Sequence, residues 1–397
     1  MAGDIIFPLC KGLVDEWFNP RPSLTLETVS IMVVPSMPAN MQFPPFDLLH
    51  WFIDNHTAKY NISLSDMLPA TFDEVDIRFE DLNISENFVN GRPELRKLLA
   101  DQHDVQADNV LVTASCSEAN LDVCMALLRP GDEVIVIMPN YPPLRDLPKG
   151  LGAKVKEFRL RSQDDFVLDL SALKKAVTSK TRLIVMTNIN NPASSIATRD
   201  HLAAISEMAE RGDFHVLCDE TFRELAFERK PPTASEFGDR MVVTNTMSKV
   251  YGMGGLKIGW IVAGGEALQR IRNVTEYNTV CPSGISDRVA LAVLGDKEKF
   301  IERARGIIKR NRPVVEDWLQ RNERVHWKDP GVGNVAFPKV DADVDRLAAI
   351  LLMDYGTIIA SGSYFGMGGH FRLGFGRKTE DLVAGLENFD SALRSLN

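Results

Sequence analysis

The stretch Thr244-Asn245-Thr246-Met247-Ser248-Lys249-Val250-Tyr251-Gly252-Met253-Gly254-Gly255-Leu256-Lys257-Ile258-Gly259 decides how the chain is read. The β-branched run Met241-Val242-Val243-Thr244 leads into it, and Lys257-Ile258-Gly259-Trp260-Ile261-Val262-Ala263 leads out. Both read as buried strands, since a short continuous apolar run is the pattern of a strand covered on two faces. Lys249 therefore stands on a loop between strands, after a serine and before an aromatic and a glycine cluster. Such a lysine is either a solvated loop cation or, if desolvated, an amine able to attack a carbonyl and form a Schiff base. What the neighbouring strands carry decides between the two.

Working upstream, strands alternate with helices from residue 109 onward. Strands are expected at Val110–Thr113, Glu133–Met138, Lys154–Leu160, Arg182–Thr187 and Phe214–Cys218, before Met241–Thr244 and Lys257–Ala263. Helices are expected at Glu118–Leu128, Leu170–Val177 and His201–Arg211. This alternation predicts an α/β fold whose large domain, residues 46–285, holds a mostly parallel seven-stranded sheet between helices. Leu48, Leu49, Trp51 and Phe52 begin a helical pattern, and Gly91 ahead of Pro93 marks another helix start. Residues 1–45 are proline-rich and read as an N-terminal arm with one short helix around Cys10–Phe18. Downstream, Ser286–Gln320 is helical throughout, as one connecting helix or two. Strands at Asn334–Phe337, Thr357–Ala360 and Phe371–Phe375 then indicate a small C-terminal α+β domain, so that 286–397 form the connecting helix and that domain.

In an open parallel sheet, ligands bind at the carboxyl ends of the strands. Ala114-Ser115-Cys116-Ser117-Glu118 follows the first strand; small residues at such a turn cup a phosphate, or simply cap the helix. Tyr141 follows the second, as a stacking platform or a turn aromatic. Asn191, ahead of Pro192, follows Arg182–Thr187 and also fits a turn. Asp219 follows Phe214–Cys218, as a helix cap or a partner for a protonated ring nitrogen. Thr246, Ser248 and Lys249 follow Met241–Thr244. Together these are a phosphate cup, an aromatic plate, an amide, a carboxylate and a reactive lysine, in that chain order, which suits pyridoxal phosphate.

With these residues in place, the chain resembles the fold-type I pyridoxal-phosphate enzymes of the class I and II aminotransferase superfamily, from about Gly91 to the C-terminus. The resemblance implies that Lys249 is the Schiff-base lysine and Asp219 the partner of the pyridine nitrogen. Asn191 would bond the ring hydroxyl oxygen, and Tyr141 would stack on the ring. Ser115, Cys116, Ser117, Thr246 and Lys257 would surround the phosphate. Arg372, in Phe371-Arg372-Leu373-Gly374-Phe375-Gly376, would clamp the substrate carboxylate as a bidentate fork; otherwise it is a surface ion pair. The resemblance also implies a homodimer in which each subunit completes the other's site, with Glu86–Phe88 and the arm lacking an evident partner within the chain. Three departures stand out. Phe222 replaces a tyrosine three residues after the aspartate. Lys257 replaces an arginine eight residues after the lysine. The segment Pro35-Ser36-Met37-Pro38-Ala39-Asn40 lacks a glycine where the arm covers the substrate.

Net charge is −9, from 45 basic and 54 acidic residues, without a basic stripe, which speaks against nucleic-acid binding. Cys10, Cys116, Cys124, Cys218 and Cys281 are scattered and without metal-ligand spacing, as expected of reduced thiols in the cytoplasm and of a protein without a metal. No signal peptide or membrane span is expected. The leading reading is an aminotransferase moving an amino group between an L-amino acid and a 2-oxo acid. The alternative is a pyridoxal-phosphate enzyme of elimination, replacement or cyclisation. Asp219–Phe222, Tyr277–Val280 and Phe371–Gly376 more loosely resemble the branch containing capreomycidine synthase, whose members rearrange rather than transaminate. A cofactor-sensing regulator is a third class; it would carry an appended DNA-binding region, which is not expected here.

Overall fold

The computed structural model describes residues 42–396. The helix expected near Cys10–Phe18 and the segment Pro35–Asn40 lie outside the described residues. The central sheet has seven strands: β1 Val110–Thr113, β2 Glu133–Met138, β3 Lys154–Arg159, β4 Thr181–Thr187, β5 His215–Asp219, β6 Met241–Thr246 and β7 Gly259–Val262. Their order is β1-β7-β6-β5-β4-β2-β3. Only β7 runs against the rest, between β1 and β6. The sheet is thus mostly parallel, as expected, with its carboxyl ends gathered on one edge. Register matters there. Thr187, Asp219 and Thr244 are direct neighbours across β4, β5 and β6. Gly259 sits between Thr113 and Thr246.

Val134–Met138, Leu183–Met186, Val216–Cys218 and Met241–Val243 are buried, at 0–4 % exposure. Burying each such apolar side chain contributes roughly 1.5–3 kcal/mol. Strand β3 differs: its residues are exposed or half-buried, because Lys154-Val155-Lys156-Glu157-Phe158-Arg159 is a polar edge. Several boundaries also move. The helix expected from Glu118 begins at Cys116, so Cys116 and Ser117 lie in its first turn. The strand expected from Lys257 begins at Gly259, and Lys257 instead ends a turn in the left-handed region at φ 54°. The helix Pro142–Gly150 was not foreseen, since three prolines argue against one; two of them occupy its first turn, where proline is tolerated.

The helical stretch 286–320 divides into two helices, Gly284–Gly295 and Lys297–Arg321. In the C-terminal part the strands are shorter than expected. Val335–Ala336 pairs with Phe371–Gly374, which pairs with Ala360–Ser361. Tyr60–Asn61 pairs with Thr357–Ile358, and the Gly374 N–H donates to Ile62 O at 2.7 Å. These bonds carry residues 60–64 across the chain to the Arg372 strand.

His103 links the helix Pro93–His103 to the sheet. The Trp260 indole donates to its Nε2 at 3.4 Å, and its Nδ1 lies 2.9 Å from Thr233 Oγ1. The ring is buried, and burial first, then Arg223, Lys230 and Lys297, push its pKa down to about 3. An imidazole free in the unfolded chain titrates near 6.5, so the unfolded state binds more protons between these values. Stability contributed by neutral His103 is therefore complete above pH 6.5 and lost as pH falls towards 3, by as much as about 4–5 kcal/mol. His103→Gln should flatten the fall in unfolding free energy between pH 7 and pH 4, measured by denaturant titration. An unchanged slope would show that other groups dominate.

Candidate active site

The helix Cys116–Leu127 opens at the end of β1. Ser115 caps it, its Oγ accepting from the Glu118 N–H at 3.2 Å, while Thr113 Oγ1 donates to Ser115 O at 2.9 Å. The N–H groups of Cys116 and Ser117 stand in the first turn, where no intrahelical acceptor exists. Gly259 packs directly beneath: a Cβ there would lie 2.4 Å from Ser115 C and 2.6 Å from Cys116 N. Only glycine lets β7 approach this turn. From the other side come Thr246 and Ser248, their hydroxyls 3.1 Å apart, with Thr246 Oγ1 donating to Ile258 O at 2.7 Å. These residues and Lys257 line one end of a cavity of about 240 Å³.

Asp219 lines the same cavity. Its Oδ2 accepts from Asn120 Nδ2 at 3.0 Å and the Cys116 thiol at 3.3 Å, and its Oδ1 from the Thr221 N–H at 3.0 Å. Asn120 is fixed in turn by Thr244 Oγ1, which donates to its Oδ1 at 2.6 Å. Burial, with Asp219 alongside, raises the Cys116 thiol well above its ordinary value, so it serves as a neutral donor. Thr221 Oγ1 is buried without a partner among the described residues. Phe222 also lines the cavity, at 5 % exposure. Tyr141 lies on the wall, edge-on to Phe46 at 5.6 Å, and burial raises its phenol.

Also on the cavity wall, Lys249 Nζ donates to Asp66 Oδ1 at 2.9 Å and to Ser65 Oγ at 3.3 Å. Burial works to raise the Asp66 carboxyl, but Lys249, Arg372 and Arg377 outweigh it and leave it below the ordinary value. Arg372 is buried behind them. Its Nε donates to Ser63 O at 2.9 Å and its Nη1 to Asn191 Oδ1 at 3.3 Å, with the guanidinium 4.9 Å from the centre of the Phe365 ring. Burial lowers its pKa to about 10, which still leaves a cation at neutral pH. No carboxylate lies within ion-pair distance of it among the described residues, so the surface ion pair is not what is found.

The structure thus brings all ten foreseen residues to one place: Ser115, Cys116, Ser117, Tyr141, Asn191, Asp219, Thr246, Lys249 and Lys257 line the cavity, and Arg372 abuts it through Asn191. A larger groove, about 810 Å³ and lined by Phe166, Trp327 and His370 among others, contains none of them. Sequence reading missed Asn120, Ser65 and Asp66. It also left Glu86 and Phe88 without partners in the chain, whereas Arg92 bonds Glu86 and lies over the Phe88 ring at 4.9 Å.

The sequence model of the family described as aminotransferase class I and II matches residues 79–389. The chain belongs to this family. Among its relatives, the aspartate/prephenate aminotransferase of Thermus thermophilus is 27 % identical over 314 residues, 76 % of this chain and 82 % of that one. Capreomycidine synthase of Streptomyces vinaceus is 30 % identical over 282 residues, covering 70 % and 72 %. A pyridoxal-phosphate-dependent aminotransferase from Streptococcus suis superposes with a TM-score of 0.84 at 28 % identity, over 90 % of this chain and 99 % of that one. The pyridoxal-phosphate-dependent cyclase OrfR gives 0.81 at 27 %, over 91 % and 99 %. The fold is that of fold-type I enzymes, and the cofactor of this aminotransferase-family enzyme is pyridoxal phosphate.

The donor set fits that cofactor. Hydroxyls, helix amides and a lysine at one end suit a phosphate. A carboxylate with three donors, an unpartnered hydroxyl two residues on and a primary amine line the same cavity. Asn120→Ala would remove one donor from Asp219 and leave the Thr244 hydroxyl unpaired. A hydrogen bond to a charged group contributes about 1.5–3 kcal/mol, so cofactor affinity should fall tenfold or more in an absorbance titration, with unchanged circular dichroism. Unaltered affinity would show that Asp219 needs no help from Asn120.

Proposed function

We propose that the protein transfers the amino group of an L-amino acid to a 2-oxo acid, with Lys249 as the residue that holds the cofactor and moves the proton. The observation that carries this reading is that Lys249, bonded to Asp66, lines the same cavity as Asp219. Pyridoxal phosphate, when bound, supplies an electrophilic carbon for an amine and a ring that withdraws electrons from the bond to be broken. In our reading Asp219 faces the ring nitrogen and keeps its proton in place. Ser115, Cys116, Ser117, Thr246 and Lys257 hold the phosphate. Tyr141 covers one ring face, and Asn191 donates to the ring oxygen. Arg372, a buried cation without a carboxylate partner, receives the substrate carboxylate through its free guanidinium nitrogen. Lys249 Nζ would then take the proton from the substrate Cα and deliver it to the cofactor carbon that receives the amino group.

The relatives named aminotransferases support transamination. The similarity to capreomycidine synthase and to the OrfR cyclase supports a second reading, in which the same residues serve elimination or ring closure. Phe222 lines the cavity without a hydroxyl to offer, and in both readings Asn191 and Thr221 are the nearby donors. A panel of amino acids read by cofactor absorbance separates the two. Stoichiometric conversion to the amine form of the cofactor, with release of a 2-oxo acid, supports transamination. Release of ammonia or a cyclic product instead supports the second. Borohydride should fix the cofactor to Lys249 in the wild type and not in Lys249→Ala. Recovery of the reduced cofactor on another lysine would refute the assignment.

We also infer a homodimer working in the cytoplasm, in the biosynthesis or turnover of amino acids. Phe79, Ile84, Val89, Tyr277 and Val280 are exposed, Ile84 at 88 % and Tyr277 at 94 %. Asn278 and Thr279 bond Glu118, one turn from the phosphate cup, and the Gly284 backbone packs on Glu86. Exposed apolar side chains close in the chain to residues bonded at the site support a surface that another subunit covers. No helix of the described residues is long and apolar enough to cross a membrane. Tyr277→Lys should shift the mass in light scattering from dimer towards monomer and reduce activity; a wild type that is active as a monomer would overturn the reading.

A further inference from the structure

The segment Ser63–Asp66 crosses the cavity wall from Arg372 to Lys249. Ser63 O accepts from Arg372 Nε at 2.9 Å, and Ser65 Oγ and Asp66 Oδ1 accept from Lys249 Nζ at 3.3 and 2.9 Å. If the substrate carboxylate lies at Arg372 and its amine reacts beside Lys249, its Cα lies along this segment. The side chain then leaves past Ser65 and Asp66. The Asp66 side chain is 44 % exposed, and its Oδ2 makes no hydrogen bond among the described residues. The other charged groups lining the cavity have work elsewhere. Lys257, which precedes the Ile258 whose carbonyl Thr246 binds, serves the phosphate in the reading above, and Asp219 is occupied by three donors. Arg377 is near enough to help lower the Asp66 carboxyl but does not line the cavity.

We propose that Asp66 is the specificity-determining residue for the substrate side chain: the site accepts amino acids whose side chain ends in a cation or N–H donors and rejects those ending in a carboxylate. A carboxylate brought beside Asp66 is repelled, whereas a cationic or amide end gains the open Oδ2 as acceptor. Aspartate, after which several relatives are named, would then be a poor substrate here. The inference rests on the functional reading above only for the direction in which Cα is held.

The test uses the cofactor-loaded enzyme and two compounds that carry a carboxylate but no primary amine, 4-guanidinobutyrate and glutarate. They report binding without reaction. Calorimetry on the wild type should give at least tenfold tighter binding of 4-guanidinobutyrate. Asp66→Asn should erase about tenfold to a hundredfold of that ratio, the range for a hydrogen bond to a charged group, and Asp66→Lys should invert it. Turnover should follow: kcat/KM for lysine and glutamine above that for glutamate and aspartate, with the order lost in Asp66→Asn at unchanged cofactor content. The proposal is overturned if glutarate binds the wild type as well or better, if neither compound binds, or if Asp66→Asn keeps the wild-type ratio. In those cases Asp66 acts only as a counter-ion for Lys249 and the arginines. Because neither compound reacts, the ratio stands apart from whether the enzyme transaminates or closes rings, which the amino-acid panel decides.

Discussion

The structure turns on one buried carboxylate. Asp219 is 6 % exposed at the end of a strand in the middle of the sheet, where an unaccompanied charge is costly. Three donors surround it, and they come from different parts of the chain: Asn120 and Cys116 from a helix, and the Thr221 N–H from the loop after β5. Asn120 is held by Thr244 on the adjacent strand. The same helix begins at the Ser115 turn, so the bonds that steady Asp219 also fix the amides of Cys116 and Ser117. The pieces on either side of the cavity are therefore not positioned independently. A shift of this helix would disturb the carboxylate and the cup together.

The other end of the cavity is built differently. Its walls come from segments far apart in sequence, with Ser63 and Arg372 separated by 309 positions. Backbone pairing brings them together, through Tyr60–Asn61 beside Thr357–Ile358 and the Gly374 N–H on Ile62 O. Gly374 makes this approach possible, since a Cβ there would lie 1.8 Å from Leu64 O. Asp219 and its cup thus belong to the large sheet, while Asp66 and Arg372 hang on the small one. In the proposed reading, residues on the first serve the cofactor, and residues on the second meet the substrate, Arg372 at its carboxylate and Asp66 at its side chain.

That division also explains what could be read from the sequence. Tyr141, Asn191, Asp219 and Lys249 each follow a strongly apolar strand, and strand ends in a parallel sheet are places where function is looked for. Their periodicity is local, so a local pattern finds them. Asp66 lies in Ser63-Leu64-Ser65-Asp66, a short polar run with no strand or helix signal, and its position depends on pairing with residues near 358 and 374. Asn120 was missed for another reason. A polar residue inside a helix ordinarily faces solvent, and nothing within the helix says that this one faces Asp219. Lys257 was placed at the cup by family resemblance, but its left-handed backbone was not foreseen, because the apolar run that follows it conceals the turn.

Charge accounts for why such a wall persists. Arg372 is buried at 3 % exposure, with two neutral acceptors and a ring as its neighbours. That arrangement leaves part of its desolvation cost unmet, since hydrogen bonds to neutral groups return less than a paired carboxylate does. Replacing it with an apolar side chain of similar size would be expected to stabilise the fold, as replacements of buried charges often do. Retaining the cation makes sense when an incoming carboxylate completes the pair, because the cost already met in folding need not be met again at binding. Asp66 stands in the opposite relation. It is partly open, and Lys249 is the only side chain donating to it among the described residues. A buried fork that lacks an anion, beside a half-buried anion with an oxygen to spare, gives the wall a polarity that an amino acid would match in one orientation if, as proposed, its carboxylate goes to Arg372 and its side chain past Asp66.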